Sequence, residues 1–286
     1  MSTVDQFESV FRAAAKTIYV HEKPSLGKVL LVTDMENAEA AMCLQKVRTF
    51  LEEVLPDSET EWSLVSKDDF QNVKDLLDKV EEHRPDLIVT YRNLKSEAWR
   101  WPYSLGEHLD VLTQVTSTPV LVLPHPNRQG TNDFLERSPK TVMAVSGHLC
   151  GEGKLVGYSS AFTPTGGKLK LSHVEDEATL ERYLDAIDKI PELDSEVARE
   201  TILSRLLKDA KGFSESAKTV LREAGLGIDV ECHAKVGSRL EDYKKLIEQD
   251  HVDLLVMHAK EDDQMAMHGM AHPLAVELRS VPLLLL

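Results

Sequence analysis

The chain carries side chains able to do chemistry in two places. In its first half, Asp34 follows the apolar run Lys28–Val32, and Arg92 and Lys95 follow the apolar run Leu87–Tyr91. A carboxylate and two cations just past apolar runs are suited to holding a polar or anionic ligand, because ligands of parallel sheets sit beyond the carboxyl ends of the strands. In the second half the reactive side chains are imidazoles: His148, His173, His233, His251, His258, His268 and His272. Cys150 lies two residues past His148, and Met257, Met265, Met267 and Met270 crowd the later loop. Imidazole and thiolate suit zinc or copper, and thioethers add affinity for copper(I). The candidate metal set is therefore His148, Cys150, His258 and His268. Neither H-E-x-x-H nor C-x2-C occurs. His173 also reads as a hydrogen-bonded core residue, and the methionines as packing of the loop on a sheet. Both readings stay open.

A glycine run, Gly147, Gly151, Gly153 and Gly157, follows the apolar run Thr141–Val145. It holds G-x-G-x3-G, a relative of the dinucleotide fingerprint, with Glu175 and Asp176 further on. The spacing is imperfect, so a glycine-rich turn packed on the sheet is the simpler reading. Ser146, His148 and Asp176 could be assembled into a triad, but no G-x-S-x-G elbow is present, and there is no P-loop. Ala98–Tyr103 (AWRWPY), with Arg92, Lys95 and Arg100 nearby, reads either as a recognition surface or as a cover over the first-half cleft.

These residues must be positioned by repeated elements. Residues 85–124 and 252–286 share one order: an Asp, an apolar strand, a polar loop, a Gly, an amphipathic helix, a Pro and a second apolar strand. Pro119 stands thirteen positions after Gly106, and Pro282 thirteen positions after Gly269. Each half opens on a short apolar strand (KVLLV, TVMAV), as strands buried on both faces do. Helices are expected over Ala38–Leu55, over Asp68–Val80 with Ser66 as its cap, over Thr179–Lys208 with a break near Pro191, over Glu215–Glu223 and over Leu240–Gln249. Strands are expected at Glu61–Val65, Leu169–Val174, Ile228–Val236 and Leu254–Met257. Gly147–Gly167 is too glycine-rich to be assigned a helix. Alternation of this kind predicts parallel α/β sheets. The expected division is residues 1–26 as an N-terminal helix and extension, 27–124 as a domain short of one β-α unit, 125–139 as a linker and 140–286 as a complete domain.

With 33 basic and 48 acidic residues, the 286-residue chain has a net charge of −15. That balance argues against nucleic acid and anionic lipid as partners. Three cysteines, Cys43, Cys150 and Cys232, form no disulfide framework and suit a reducing cytosol.

The repeated unit resembles the universal stress protein family, and the doubled arrangement resembles its tandem members. The resemblance rests on Val32-Thr33-Asp34, on the DLIVTY and DLLVMH strands and on the Gly-helix-Pro-strand endings. It implies two tandem open parallel-sheet domains of the adenine-nucleotide alpha-hydrolase-like type, paired through their last strands, Val120–Leu123 and Leu283–Leu286. Many such proteins bind ATP through G-x2-G-x9-G-[S/T]. Here the first two glycines are missing from both halves; Gly106 and Gly269 match the third, followed by Glu107 and Met270. The residues that would line the clefts are Asp34, Arg92, Lys95 and Gly106 in the first half, and Ser146, Gly147, His148, His258, Lys260 and Gly269 in the second. The resulting expectation is a non-catalytic cytosolic stress-response protein with a degenerate nucleotide cleft and an unidentified protein partner. It is a monomer whose halves pair within the chain, or a homodimer through other surfaces. An ATP site in the first half and a zinc or copper module in the second are the alternatives.

Overall fold

The computed structural model describes residues 18–286 except 102, 128–132, 148, 190–194, 261–266 and 268–269. Its strands are β1 (Lys28–Val32), β2 (Glu61–Val65), β3 (Leu87–Tyr91), β4 (Val120–Leu123), β5 (Thr141–Ser146), β6 (Lys168–Asp176), β7 (Asp229–Gly237), β8 (Leu254–Met257) and β9 (Leu283–Leu285). The described helices are α1 (Asn37–Leu51), α2 (Val73–His83), α3 (Glu107–Val115), α4 (Gly153–Ala161), α5 (Glu177–Ile187), α6 (Ser195–Glu223), α7 (Arg239–Gln249) and α8 (Ala271–Glu277).

The strands form one sheet in the order β2-β1-β3-β4-β9-β8-β5-β6-β7. Every neighbouring pair is parallel except β4 and β9, which run antiparallel with Val120 opposite Leu285 and Val122 opposite Leu283. The two apolar closing strands thus cover each other's edges, as the tandem reading requires. β3, β4, β8 and β9 are buried throughout, because helices cover both faces of the sheet. The repeated aspartates explain why the two halves share a signature. Asp86 Oδ2 accepts the Lys28 N–H at 2.9 Å, and Asp253 Oδ2 accepts the N–H groups of Lys140 and Thr141, each at 2.9 Å. Each aspartate therefore ties the start of one central strand to its neighbour.

Among the described residues the first half has four strands and the second five; β2 occupies the position that β6 holds in the second half, and no described strand corresponds to β7 beside it. The missing β-α unit falls where the sequence is short.

Several elements depart from expectation. Helix α2 starts at Val73, where Asn72 Oδ1 accepts the Asp75 N–H at 3.0 Å. Ser66 instead belongs to a turn, donating its N–H and hydroxyl to Asp69 Oδ2 at 2.7 and 2.8 Å. Residues 215–223 are the end of α6 rather than a separate helix. The glycine-rich stretch does contain a helix, α4, which buries Leu155 and Val156. Gly157 lies inside it because the chain passes close by: a Cβ there would stand 2.8 Å from the Glu22 carbonyl oxygen. That passing segment, residues 18–27, forms neither helix nor strand. It anchors on the second half through Tyr19, which is 2% exposed, packs edge-on against Phe213 and donates its N–H to Ser216 Oγ at 3.1 Å. The helix expected before it lies outside the described residues.

Candidate functional site

The first-half cleft opens beyond the carboxyl ends of β1 and β3. Its volume is about 330 Å³, and Asp34, Glu39, Tyr91, Lys95, Trp99 and His125 are among its lining residues. Asp34 is placed by the turn after β1, and both of its oxygens are engaged. The Tyr91 hydroxyl donates to Oδ1, and the Lys95 N–H donates to Oδ2 at 2.5 Å. Tyr91 is 1% exposed; its oxygen also lies 2.9 Å from Thr33 Oγ1 and accepts the Asp34 N–H at 3.1 Å. Burial, followed by the Asp34 carboxylate, pushes the Tyr91 hydroxyl far above the usual phenol range.

Both cations past β3 are held by carbonyl oxygens of the chain. The Arg92 guanidinium crosses into the second half and donates to the carbonyls of Ala275 and Leu278, the latter at 2.5 Å. The Lys95 ammonium donates to the carbonyls of Lys67 and Phe70 at 2.9 and 2.5 Å and lies 4.4 Å above the Phe70 ring. Gly106 is fixed by crowding: its φ is +95°, and a Cβ would stand 2.6 Å from Asn93 Cα. The loop from Asn93 to Gly106 is closed by the Asn93 N–H on the Leu105 carbonyl at 2.7 Å.

Aromatic rings form one wall of the cleft. Trp99 stacks on His125 with ring centroids 4.9 Å apart and 11° between planes, and Tyr91 meets the same imidazole edge-on at 5.2 Å. His125 Nδ1 accepts the Asn127 N–H at 3.2 Å. Burial pushes its pKa from 6.5 down to about 4, so the ring is neutral near pH 7. The Trp99 carbonyl accepts from Arg279 of the second half. Trp99 therefore both walls the cleft and ties its loop to the other half, while Trp101 is 53% exposed.

In the second half, the corresponding strand ends are bridged by protein groups. Arg239 donates to the Val174 carbonyl at 2.9 Å and the Gly147 carbonyl at 3.4 Å, and stands 3.8 Å from Glu175. Glu175 also lies 3.3 Å from His173 Nε2. The Tyr243 hydroxyl donates toward the Ser146 carbonyl at 3.2 Å and accepts the Val174 N–H at 2.9 Å. His258 Nε2 pairs with Glu152 Oε2 at 2.7 Å. Lys260 donates to the Gln114 carbonyl, near the end of α3, at 2.7 Å. His148, His268 and Gly269 lie outside the described residues. Among the described residues no three His, Cys, Asp or Glu side chains come together to hold an ion.

The structure therefore brings Asp34, Lys95 and the loop ending at Gly106 to one cleft, and sends Arg92 and Lys260 across the junction. Tyr91, His125, Glu152 and Arg239 were not singled out from the sequence. A signal for one of them was present: Tyr91 stands five residues past the repeated aspartate, as His258 does in the second half, and each meets a carboxylate of its own half.

The strand order and the clefts beyond the strand ends define an α/β fold of two repeated, mostly parallel half-sheets joined through their closing strands. Among solved structures, it is shared with a protein of unknown function from Pseudomonas aeruginosa PAO1, at 11% identity over 92% of this chain and 93% of that one, with a TM-score of 0.51. A putative universal stress protein from Pseudomonas aeruginosa UCBPP-PA14 also matches, at 12% identity over 92% and 94% of the two chains with a TM-score of 0.49. A universal stress protein from Archaeoglobus fulgidus DSM 4304 matches at 11% identity over 91% and 98%, with a TM-score of 0.48. At these identities the likeness is one of fold. Neither protein-family models nor curated proteins gave a match.

Proposed function

We propose that the chain is a tandem stress-response protein, with domains at 27–124 and 140–286, that acts by binding a protein partner in the cytosol and does not process a nucleotide. The observation that carries this reading is the withdrawal of the two cations past β3 onto carbonyl oxygens. A triphosphate brings several negative charges, and a site for it supplies N–H groups and cations aimed at the phosphate oxygens. Here the lining carries Asp34, Glu39 and Glu97 as carboxylates, the Lys95 ammonium is spent on the fold, and the glycines of a phosphate loop are missing. No described helix is long and apolar enough to cross a membrane.

Equilibrium dialysis against labelled ATP with magnesium tests the proposal. Retention no greater than that of a Tyr91→Phe, Asp34→Ala double variant is expected. Saturable retention abolished by Asp34→Ala alone would replace this reading with a nucleotide-binding one.

A further inference from the structure

We propose that a cavity between the two halves, at the amino ends of the strands, is a second ligand site, and that it takes a protonated amine carried on an apolar body. Its volume is about 550 Å³, against about 330 Å³ for the first-half cleft. That size suits a small organic ligand, and such sites favour junctions between domains. The cavity lies at the opposite end of the sheet from the first-half cleft. Its lining residues precede strands β1, β2 and β7 and follow helices α1, α4 and α6.

The elements that meet there decide the sign of the ligand. A helix between parallel strands runs against them, so its carboxyl end falls at the strand amino ends. α1 ends at Leu51, just before the lining residues Glu53 and Val54; α4 ends at the lining residue Ala161; α6 ends at Glu223, just before the lining residues Ala224 and Leu226. Each carboxyl end carries about half a negative charge on its open carbonyls. Pro164, shortly after α4, has no N–H to offer them. Among the described residues no main-chain hydrogen bond reaches the carbonyls of Ala161 and Ala224. A basic residue in the last turn is the usual compensation. α4 has none, and Arg48 of α1 is bonded to Asp57 at 2.9 Å. α6 keeps Arg222, which does not line the cavity.

The side chains add to the same sign. Glu53 and Glu59 line the cavity with one lysine, Lys23. Among the described residues neither carboxylate belongs to an ion pair. Buried Ser160 and Thr163 donate their hydroxyl protons to the carbonyls of Gly157 and Ser159, at 2.9 and 2.7 Å, so toward a ligand they can only accept. The imidazole of His21 is beside the Tyr19 hydroxyl, at 3.0 Å. Leu26, Val54 and Leu226 supply an apolar wall. An anion would meet helix carboxyl ends and two carboxylates. A neutral apolar molecule would leave the open carbonyls without donors. An ammonium offers them three N–H groups while its chain lies on the wall.

Amide NMR shifts of the full chain titrated with hexylammonium chloride test the proposal, with hexanoate and hexanol as probes of matched length. Saturable shifts at Ala161, Ala224 and Leu226 are expected with hexylammonium, and none of comparable size with the other two. The Glu53→Gln/Glu59→Gln double variant, at two exposed positions, should keep the circular-dichroism spectrum and weaken binding about fivefold. Lys23→Met removes a like charge and should tighten binding about twofold. No saturable shift with hexylammonium would overturn the proposal. So would an equal response to hexanoate, indifference to the loss of both carboxylates, or weaker binding in Lys23→Met.

Discussion

The hydroxyl of Tyr91, at the end of β3, donates to the carboxylate of Asp34, in the turn after β1, and this bond closes the floor of the first-half cleft. Tyr91→Phe removes the donor to Asp34 and the acceptor for the Asp34 N–H while keeping the ring against His125. The expected loss is about 1–3 kcal/mol of unfolding free energy, read from the urea midpoint at unchanged slope. No loss would mean that water replaces the phenol without cost.

His125 makes stability depend on acid. The imidazole titrates at 6.5 unperturbed and at about 4 in the folded chain, because burial disfavours its charged form. Between those values the unfolded chain binds a proton that the folded chain does not. Stability therefore falls as the pH drops from 6.5 towards 4 and this contribution levels off below, a total of up to about 3 kcal/mol. His125→Phe keeps a ring beside Trp99 and should flatten that part of the pH profile. Some slope should remain, because burial also lowers His108 and His173.

Two glycines should respond oppositely to alanine. Gly106→Ala meets both a positive φ and the Asn93 backbone, and should cost about 1–3 kcal/mol. Gly212 lies inside α6, where an added Cβ meets nothing within 4 Å, and Gly212→Ala should stabilise by about 1 kcal/mol. Chemical denaturation of the two variants separates local crowding from a general intolerance of substitution.

Arg92 is 4% exposed and serves two carbonyls at the end of α8. Arg92→Met should cost about 1.5–3 kcal/mol and broaden the melting transition as the halves uncouple. Lys260→Met, which removes the more exposed contact to α3, should cost less. Equal costs would contradict a special role for the buried cation in joining the halves.

Much of this architecture was legible because its signature is short-range. Asp86 and Asp253 each secure a strand start, and Gly106 keeps a tight approach of loop and helix, so residue type and spacing reveal them. The closing strands announced their pairing by being apolar along their whole length. What spacing cannot reveal is where a long side chain ends. Arg92 and Lys95 stand where phosphate-binding cations would stand, yet their charged groups reach carbonyls on other elements. Nor could spacing reveal that His258, a candidate metal ligand, meets Glu152, 106 residues away. Helix α4 was hidden because Gly157 serves close packing against Glu22 inside a helix rather than ending one.

Native mass spectrometry of the full chain, purified without chelator or added nucleotide and then mixed with millimolar ATP, decides whether the first-half cleft holds a nucleotide. Before ATP is added, the expected spectrum shows the bare chain mass, in single or paired copies. Afterwards it shows no specific adduct beyond that of an unrelated acidic control protein. A stoichiometric adenine-nucleotide adduct, lost in the Asp34→Ala variant, would contradict the degenerate cleft and make it a working nucleotide site.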